Sequence, residues 1–213
     1  MSQSRHEPYS RFAAETIRTT IPVLETERLR LRGHRLEDFT ACANLWADLI
    51  VTRFIGGVPL TAEESWARLL RYAGHWAMLG FGYWVAEEKA TGAFIGEIGF
   101  ADLKRDLDRP LGDIPEAAWV FSPVAHGQGY ATEALRAILS WGEAHFTPAQ
   151  TASLIHPENA ASIRLAEKCG YREALRTTYK GKPAIVFLRG RDTMGAFEAS
   201  HERFGELYRK LAE

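Results

Sequence analysis

The chain has 213 residues, enough for one domain with terminal arms or for two small domains. Apolar residues make up 46% and charged residues 25%, with a formal net charge of −1 and a pI near 6.7. That balance belongs to a globular chain with a sizeable core and gives a polyanion nothing to bind globally, so no nucleic-acid partner is expected. The two cysteines, Cys42 and Cys169, have no Cys or His neighbours at metal spacing; they read as buried thiols, and no metal is expected. The N-terminal stretch lacks the apolar core of a signal peptide and no run is long enough to span a membrane, so no membrane partner and a cytoplasmic location are expected.

Residues 1–21 are mixed and polar and read as an N-terminal arm. Residues 27–32, ERLRLR, alternate charged and apolar, the period of a strand with one buried face. Leu36, Phe39, Ala43 and Trp46 then recur at helical spacing, predicting a helix over 36–48. A second helix begins at Thr61, where Glu64 three residues on completes a capping box. At Gly82 the period changes: 82–86 and 94–100 read as a hairpin around a turn at 88–92. Residues 101–115, with Pro110, Gly112 and Pro115, read as a long loop, and 116–121 (EAAWVF) as a third strand. A helix follows from about Ala131 to His145, then a strand over 151–156 and a helix over 157–169 stopped by Gly170. Strands at 175–179 and 184–188 flank Lys180-Gly181-Lys182-Pro183. Over 191–213, Met194, Phe197, His201, Phe204, Leu207, Tyr208 and Leu211 share roughly one helical face; such a tail could dock on its own domain or on a second subunit, so a homodimer is possible. Hairpins and one strand–helix–strand crossover in one chain predict a mixed α/β fold around a single, mostly antiparallel twisted sheet flanked by helices.

The stretch His126-Gly127-Gln128-Gly129-Tyr130-Ala131-Thr132 lies where a strand gives way to an amphipathic helix. The first amides of a helix lack intrahelical partners and carry positive partial charge, and glycines let a phosphate approach the backbone closely. Two glycines before a helix also make an ordinary turn, and alone they do not choose between the two. No GxxxxGK[ST] is present, and no GxGxxG opens an early βαβ unit.

With its flanks, this stretch resembles the acetyl-CoA-binding motif of the GNAT superfamily of N-acetyltransferases, whose pattern is (Gln or Arg)-x-x-Gly-x-(Gly or Ala). The resemblance continues in Leu24–Arg32, in Phe94–Gly99, and in Asn159-Ala-Ala-Ser162 followed by Glu167-Lys168-Cys-Gly170-Tyr171. It covers roughly residues 22–190, and it is closest to the ribosomal-protein alanine/serine N-terminal acetyltransferases. It implies a GNAT-like acyl-CoA N-acyltransferase fold and acetyl-CoA as cosubstrate. The pyrophosphate of CoA would sit on the amides of residues 127–131, with Gln128, Tyr130 and Thr132 part of that seat and His126 a variant of a phosphate-side contact. Trp119 and Phe121 would offer backbone groups to the pantetheine arm, as in strand addition, and Asn159 would contact CoA or cap its helix. The tyrosine that often protonates the leaving thiolate is absent, because Ala166 stands there; Ser162 is the acid the resemblance offers instead.

The acceptor amine must lose a proton before it attacks a thioester. Glu116, at the start of the strand before the glycines, is the foremost candidate base or substrate anchor; His156 and Glu97 are rivals. Tyr83, Trp84, Trp76, Arg53 and the loop 101–115 are candidates for the acceptor pocket. The expected reaction is acetyl transfer from acetyl-CoA to a primary amine, a protein N-terminus or a small amine or amino-acid derivative, by direct attack in a ternary complex. A CoA-binding regulatory module without catalysis and an assembly protein are the alternatives.

Overall fold

The computed structural model describes residues 20–190; the amphipathic tail and nearly all of the N-terminal arm expected from the sequence lie outside them. Eight strands form one sheet: β1 (Leu24–Glu25), β2 (Leu29–Arg32), β3 (Tyr83–Glu88), β4 (Phe94–Ala101), β5 (Glu116–Phe121), β6 (Thr151–Ile155), β7 (Arg172–Tyr179) and β8 (Lys182–Arg189). Their order is β1-β2-β3-β4-β5-β6-β8-β7. Every neighbouring pair is antiparallel except β5 and β6, which run parallel because a helix connects them. The fold is the mixed α/β sheet that the sequence pattern predicts.

The helices are α1 (Phe39–Ala47), α2 (Leu49–Thr52), α3 (Ala62–Leu79), α4 (Tyr130–His145) and α5 (Ala160–Lys168). On one face of the sheet, Ala134, Leu135, Ile138 and Leu139 of α4 are buried against Leu29, Leu31, Trp84, Ile98 and Phe100. Fully burying an aliphatic side chain of this size contributes about 1.5–3 kcal/mol, so this stripe is the main anchor of α4. On the other face, Leu45, Trp46 and Val51 of α1 and α2 pack on Val120, and Tyr72 of α3 packs on Tyr83 and Ala101. Alternation along β5 decides which residue serves which layer: Ala117 and Phe121 belong to the α4 side, Val120 to the α1–α3 side.

Several boundaries differ from the sequence pattern. The helix expected over 36–48 is a 3₁₀ turn (Leu36–Asp38) followed by α1, because Asp38 is drawn into a buried two-point ion pair with Arg32 at 2.7 and 2.9 Å. The chain turns extended at Asp48, whose side chain accepts from the Ile50 amide and caps α2. Helix α5 begins at Ala160 rather than Pro157, because Asn159 caps it by accepting from the Ser162 amide at 3.1 Å. The last hairpin turns through Lys180 (φ 50°) and Gly181 (φ 74°) alone, the positive pair of a tight two-residue turn, so β8 starts at Lys182. The capping box at Thr61 and Glu64 forms as the sequence pattern predicts.

Candidate active site

The site begins where the sheet opens. Strands β5 and β6 share one register pair, Glu116 with Ala152, and the Ala152 amide donates to the Pro115 carbonyl at 2.9 Å. Beyond that point β5 continues to Phe121 with β4 on one side and a gap on the other. The Ser122 amide donates to Ile95 of β4, so by alternation the backbone groups of Ala117, Trp119 and Phe121 face the gap. Around this gap lies a cleft of about 340 Å³ that reaches both faces of the sheet.

At the far end of β5 a 3₁₀ turn (Pro123–Ala125) leads into the glycine stretch. Gly127 and Gly129 have φ of 76° and 82°, the left-handed region that glycine adopts without strain. Gly129 is the N-cap of α4, and the first i−4 bond of the helix runs from the Glu133 amide to the Gly129 carbonyl. The amides of Tyr130, Ala131 and Thr132 therefore have no intrahelical partner. Glu133 sits in the first turn, but its carboxylate faces away: Thr26 Oγ1, the Arg28 amide and the Arg28 guanidinium all donate to it. Arg28 also donates to the Gln128 carbonyl at 2.9 Å and lies over the Tyr130 ring. Arg28 thus neutralises the acid of the first turn and holds the loop; in the sequence it reads as a solvated charge on an alternating strand. Gln128 donates to the Val124 carbonyl, and Tyr130 has its ring in the core and its hydroxyl on Glu88. These two side chains are spoken for by the protein, so what they can present to a ligand is backbone.

On the α5 side of the gap, the Trp119 indole donates to Ser162 Oγ at 3.2 Å. The serine oxygen accepts there, which leaves its own proton to give. Asn159 spends its side-chain oxygen on the cap of α5 and keeps its amide nitrogen, and both residues border the cleft. His126 hydrogen-bonds through Nε2 to the Phe121 carbonyl at 3.0 Å, closing the free edge of β5 at its last residue. Ala166 is fully buried in the core.

On the α3 side stands Glu116, 3% exposed, with Arg105 donating to both carboxylate oxygens at 2.5 and 2.7 Å. Arg105 comes from the loop 102–115 and lies over the Tyr179 ring. His156 borders the cleft, stacked on Phe54; its Nδ1 accepts from the Glu158 amide, so a neutral ring carries its proton on Nε2 and has no free acceptor. Glu97 does not border the cleft. It is 1% exposed, behind Trp46 and Tyr72, and receives hydrogen bonds from Trp46 Nε1, Tyr72 Oη and His34 Nε2. Burial works to raise its pKa, but the bonds from His34 and Trp46 prevail and hold it below the ordinary carboxylate range. His34, Cys42 and Glu97 have ligand atoms within 4.8 Å of one another, and burial pushes the Cys42 thiol up.

Of the acceptor-pocket candidates, Tyr83 and the loop residues Leu103 and Arg105 line the cleft. Trp84 and Trp76 do not: they are 0% and 3% exposed and pack edge-to-face on each other and on Trp141 in the α4-side core. Arg53 is exposed and lies over Phe54; its neighbours Phe54, Ile55 and Gly56 form the wall instead.

Known proteins share this architecture. Residues 28–172 match the family described as the acetyltransferase (GNAT) domain. The Bacillus subtilis protein YkkB is 36% identical over 110 residues, 52% of this chain and 62% of its own length. The N-acetyltransferase p20 of Bacillus licheniformis is 26% identical over 171 residues, 76% of this chain and 90% of that protein. A GnaT-family acetyltransferase structure from Bordetella pertussis superposes with a TM-score of 0.70 at 27% identity, covering 80% of this chain and all of that one. The chain belongs to the GNAT family of acetyltransferases.

Proposed function

We propose that the protein transfers the acetyl group of acetyl-CoA to a primary amine by direct attack in a ternary complex. The observation that carries this reading is the free edge of β5, which ends in a loop of two left-handed glycines and three unpartnered helix amides. The pieces fit CoA: an extended pantetheine arm can pair with the backbone of Trp119 and Phe121 as an added strand, and the pyrophosphate can take the amides of residues 127–132. Acetyl-CoA supplies the acetyl group as an activated thioester.

The chain's own groups do the rest. Glu116 is the only carboxylate bordering the cleft among the described residues. With Arg105 on both its oxygens, it takes the proton of the incoming ammonium through a water on a remaining lone pair. The amine nitrogen bonds to the carbonyl carbon, a β5 backbone amide steadies the oxyanion, the attacking nitrogen gives its second proton to solvent water, and the carbon–sulfur bond breaks as the carbonyl re-forms. Ser162 gives its hydroxyl proton to the departing thiolate and is reprotonated from solvent. His126 and Asn159 border the path of the cofactor, His126 by sealing the end of the β5 edge and Asn159 through its free amide nitrogen.

Two measurements test the reading together. CoA and acetyl-CoA should each raise the melting temperature, and amines should accelerate release of free thiol from acetyl-CoA. Thermal stabilisation by CoA without acceleration by any amine would leave a binding module without catalysis. No stabilisation by either would remove the cofactor assignment.

A further inference from the structure

The cleft wall on the α3 side carries unbalanced positive charge. Arg68, Arg71, Arg105, Lys180 and Lys182 line the cleft against one carboxylate, Glu116, and that carboxylate is already taken by Arg105. The whole chain has a net charge of −1, so the excess is local to this wall.

Arg68, unlike Arg105, has no carboxylate partner among the described residues. Its guanidinium lies over the Trp46 ring, 3.7 Å from the centroid, and its Nε is buried with no hydrogen-bond partner among the described residues. Buried donors are rarely left unpaired. Arg71 projects from the same helix three residues on, toward the same wall, and neither arginine forms an ion pair among the described residues. Lys182, on the opposite hairpin, donates to the Gly56 carbonyl at 2.5 Å and ties the rim of the cleft together. Trp46, which carries Arg68, packs on Val120 of β5, so the unmet nitrogen lies one indole away from the strand that borders the gap.

Resting on the proposed amine acetylation, we infer that the acceptor is a small amine that bears a carboxylate, an α-amino acid or a near derivative, and that Arg68, assisted by Arg71, binds that carboxylate. A guanidinium held over an indole presents a fork of N–H donors, the geometry that a carboxylate accepts in two-point fashion. The stacking fixes the arginine before the ligand arrives, so little freedom is lost on binding. The same wall repels a polyamine, whose second ammonium would lie among like charges without a carboxylate to receive it.

The test is thiol release at saturating acetyl-CoA with four classes of acceptor: free amino acids, the matching carboxamides, spermidine, and short peptides with acidic N-terminal residues. Free amino acids should exceed their carboxamides in kcat/KM by tenfold or more, with spermidine at background. In Arg68→Gln the KM for the amino acid should rise by tenfold or more while the KM for acetyl-CoA and the kcat/KM for carboxamides stay put. Arg68→Lys should recover part of the loss, and both variants should melt close to the parent. Equal use of acids and carboxamides, or equal losses on both in Arg68→Gln, overturns the carboxylate site. Peptides outperforming free amino acids overturn the small acceptor. Silence from every acceptor, with acetyl-CoA still raising the melting temperature, overturns the amine-transfer reading itself and this inference with it.

Discussion

Replacing Gly129 with valine separates the cost of folding the glycine loop from the cost of losing its ligand. The residue has φ 82°, and an L-residue held there costs about 1–2 kcal/mol, with a β-branched one at the upper end. Sterically the new Cβ is tolerable: its nearest neighbour is Arg28 Nη2 at 3.4 Å, the end of a flexible side chain. A loss of about 2 kcal/mol leaves most domains folded, since stabilities run to about 5–15 kcal/mol. At about 2–4 °C per kcal/mol for a chain of this size, the melting temperature should fall by about 4–8 °C. CoA affinity should fall further. The valine methyls stand against the first amides of α4, and losing even one charge-assisted bond of about 1.5–3 kcal/mol weakens binding by about tenfold to a hundredfold. Differential scanning fluorimetry gives the first quantity and calorimetric titration with CoA the second. Gly80→Val is the control: φ is 74°, nothing lies within 4 Å of its Cβ, and it caps α3 away from the loop. It should lose similar stability and keep its CoA affinity. A folded Gly129→Val protein that binds CoA within twofold of the parent would refute the phosphate seat.

Three further outcomes follow from the same geometry. Glu116→Gln keeps the shape of the side chain but not its basicity; kcat should fall by about a hundredfold or more with CoA affinity unchanged, and an unaltered rate at saturating amine removes Glu116 from the chemistry. Ser162→Ala should lower kcat by about tenfold to a hundredfold while the KM for acetyl-CoA holds within about twofold; a pure KM effect would make Ser162 a binding group only. Glu97, with its pKa held below the ordinary 4.5, stabilises the fold fully above that value and progressively less as pH falls through the lower folded value. Melting curves from pH 7 to pH 3 should therefore fall less steeply below about pH 4.5 in Glu97→Gln than in the parent, from a lower starting temperature, and parallel curves would show that the carboxylate charge is not what Trp46, Tyr72 and His34 hold.

What the sequence makes legible is local. The strand over 116–121, the capping box at Thr61 and Glu64, the stop at Gly170 and the glycine entry to α4 all depend on residues within a few positions of each other. What it hides is the pairing of distant residues. Arg28 reads as a surface charge on ERLRLR, and only the fold brings it to Glu133 and the Gln128 carbonyl. Glu116 looks like the end of an exposed strand until Arg105 folds back over it, and Arg32 draws Asp38 out of a regular helix. Tryptophan is the least readable residue. Trp46, Trp76, Trp84 and Trp119 occur in equally apolar company, yet Trp76 and Trp84 serve only the core while Trp46 and Trp119 also border the cleft. The difference is set by which face of which strand or helix each one meets, and no window of sequence contains that.

On the proposed mechanism, strand β5 would also keep the two proton transfers apart. Its alternation puts Glu116, Ala118 and Val120 toward α3 and Ala117, Trp119 and Phe121 toward α4 and α5. On the proposed mechanism the base and the cationic wall would lie on one face of the strand and Ser162 on the other, with the thioester in the gap beside the strand. Such a division does not need a tyrosine at position 166, which lies wholly inside the core as alanine. It needs a hydroxyl one turn into α5 with its oxygen already occupied, and the Trp119 indole supplies that occupation from the strand itself. Ala118, small and beside Glu116 on the cleft, would leave room on this face for an amine to approach. The pattern EAAWVF thus does two things with six residues: Ala117 and Phe121 build a core while Trp119 holds Ser162, and Ala118 stays small beside the carboxylate of Glu116.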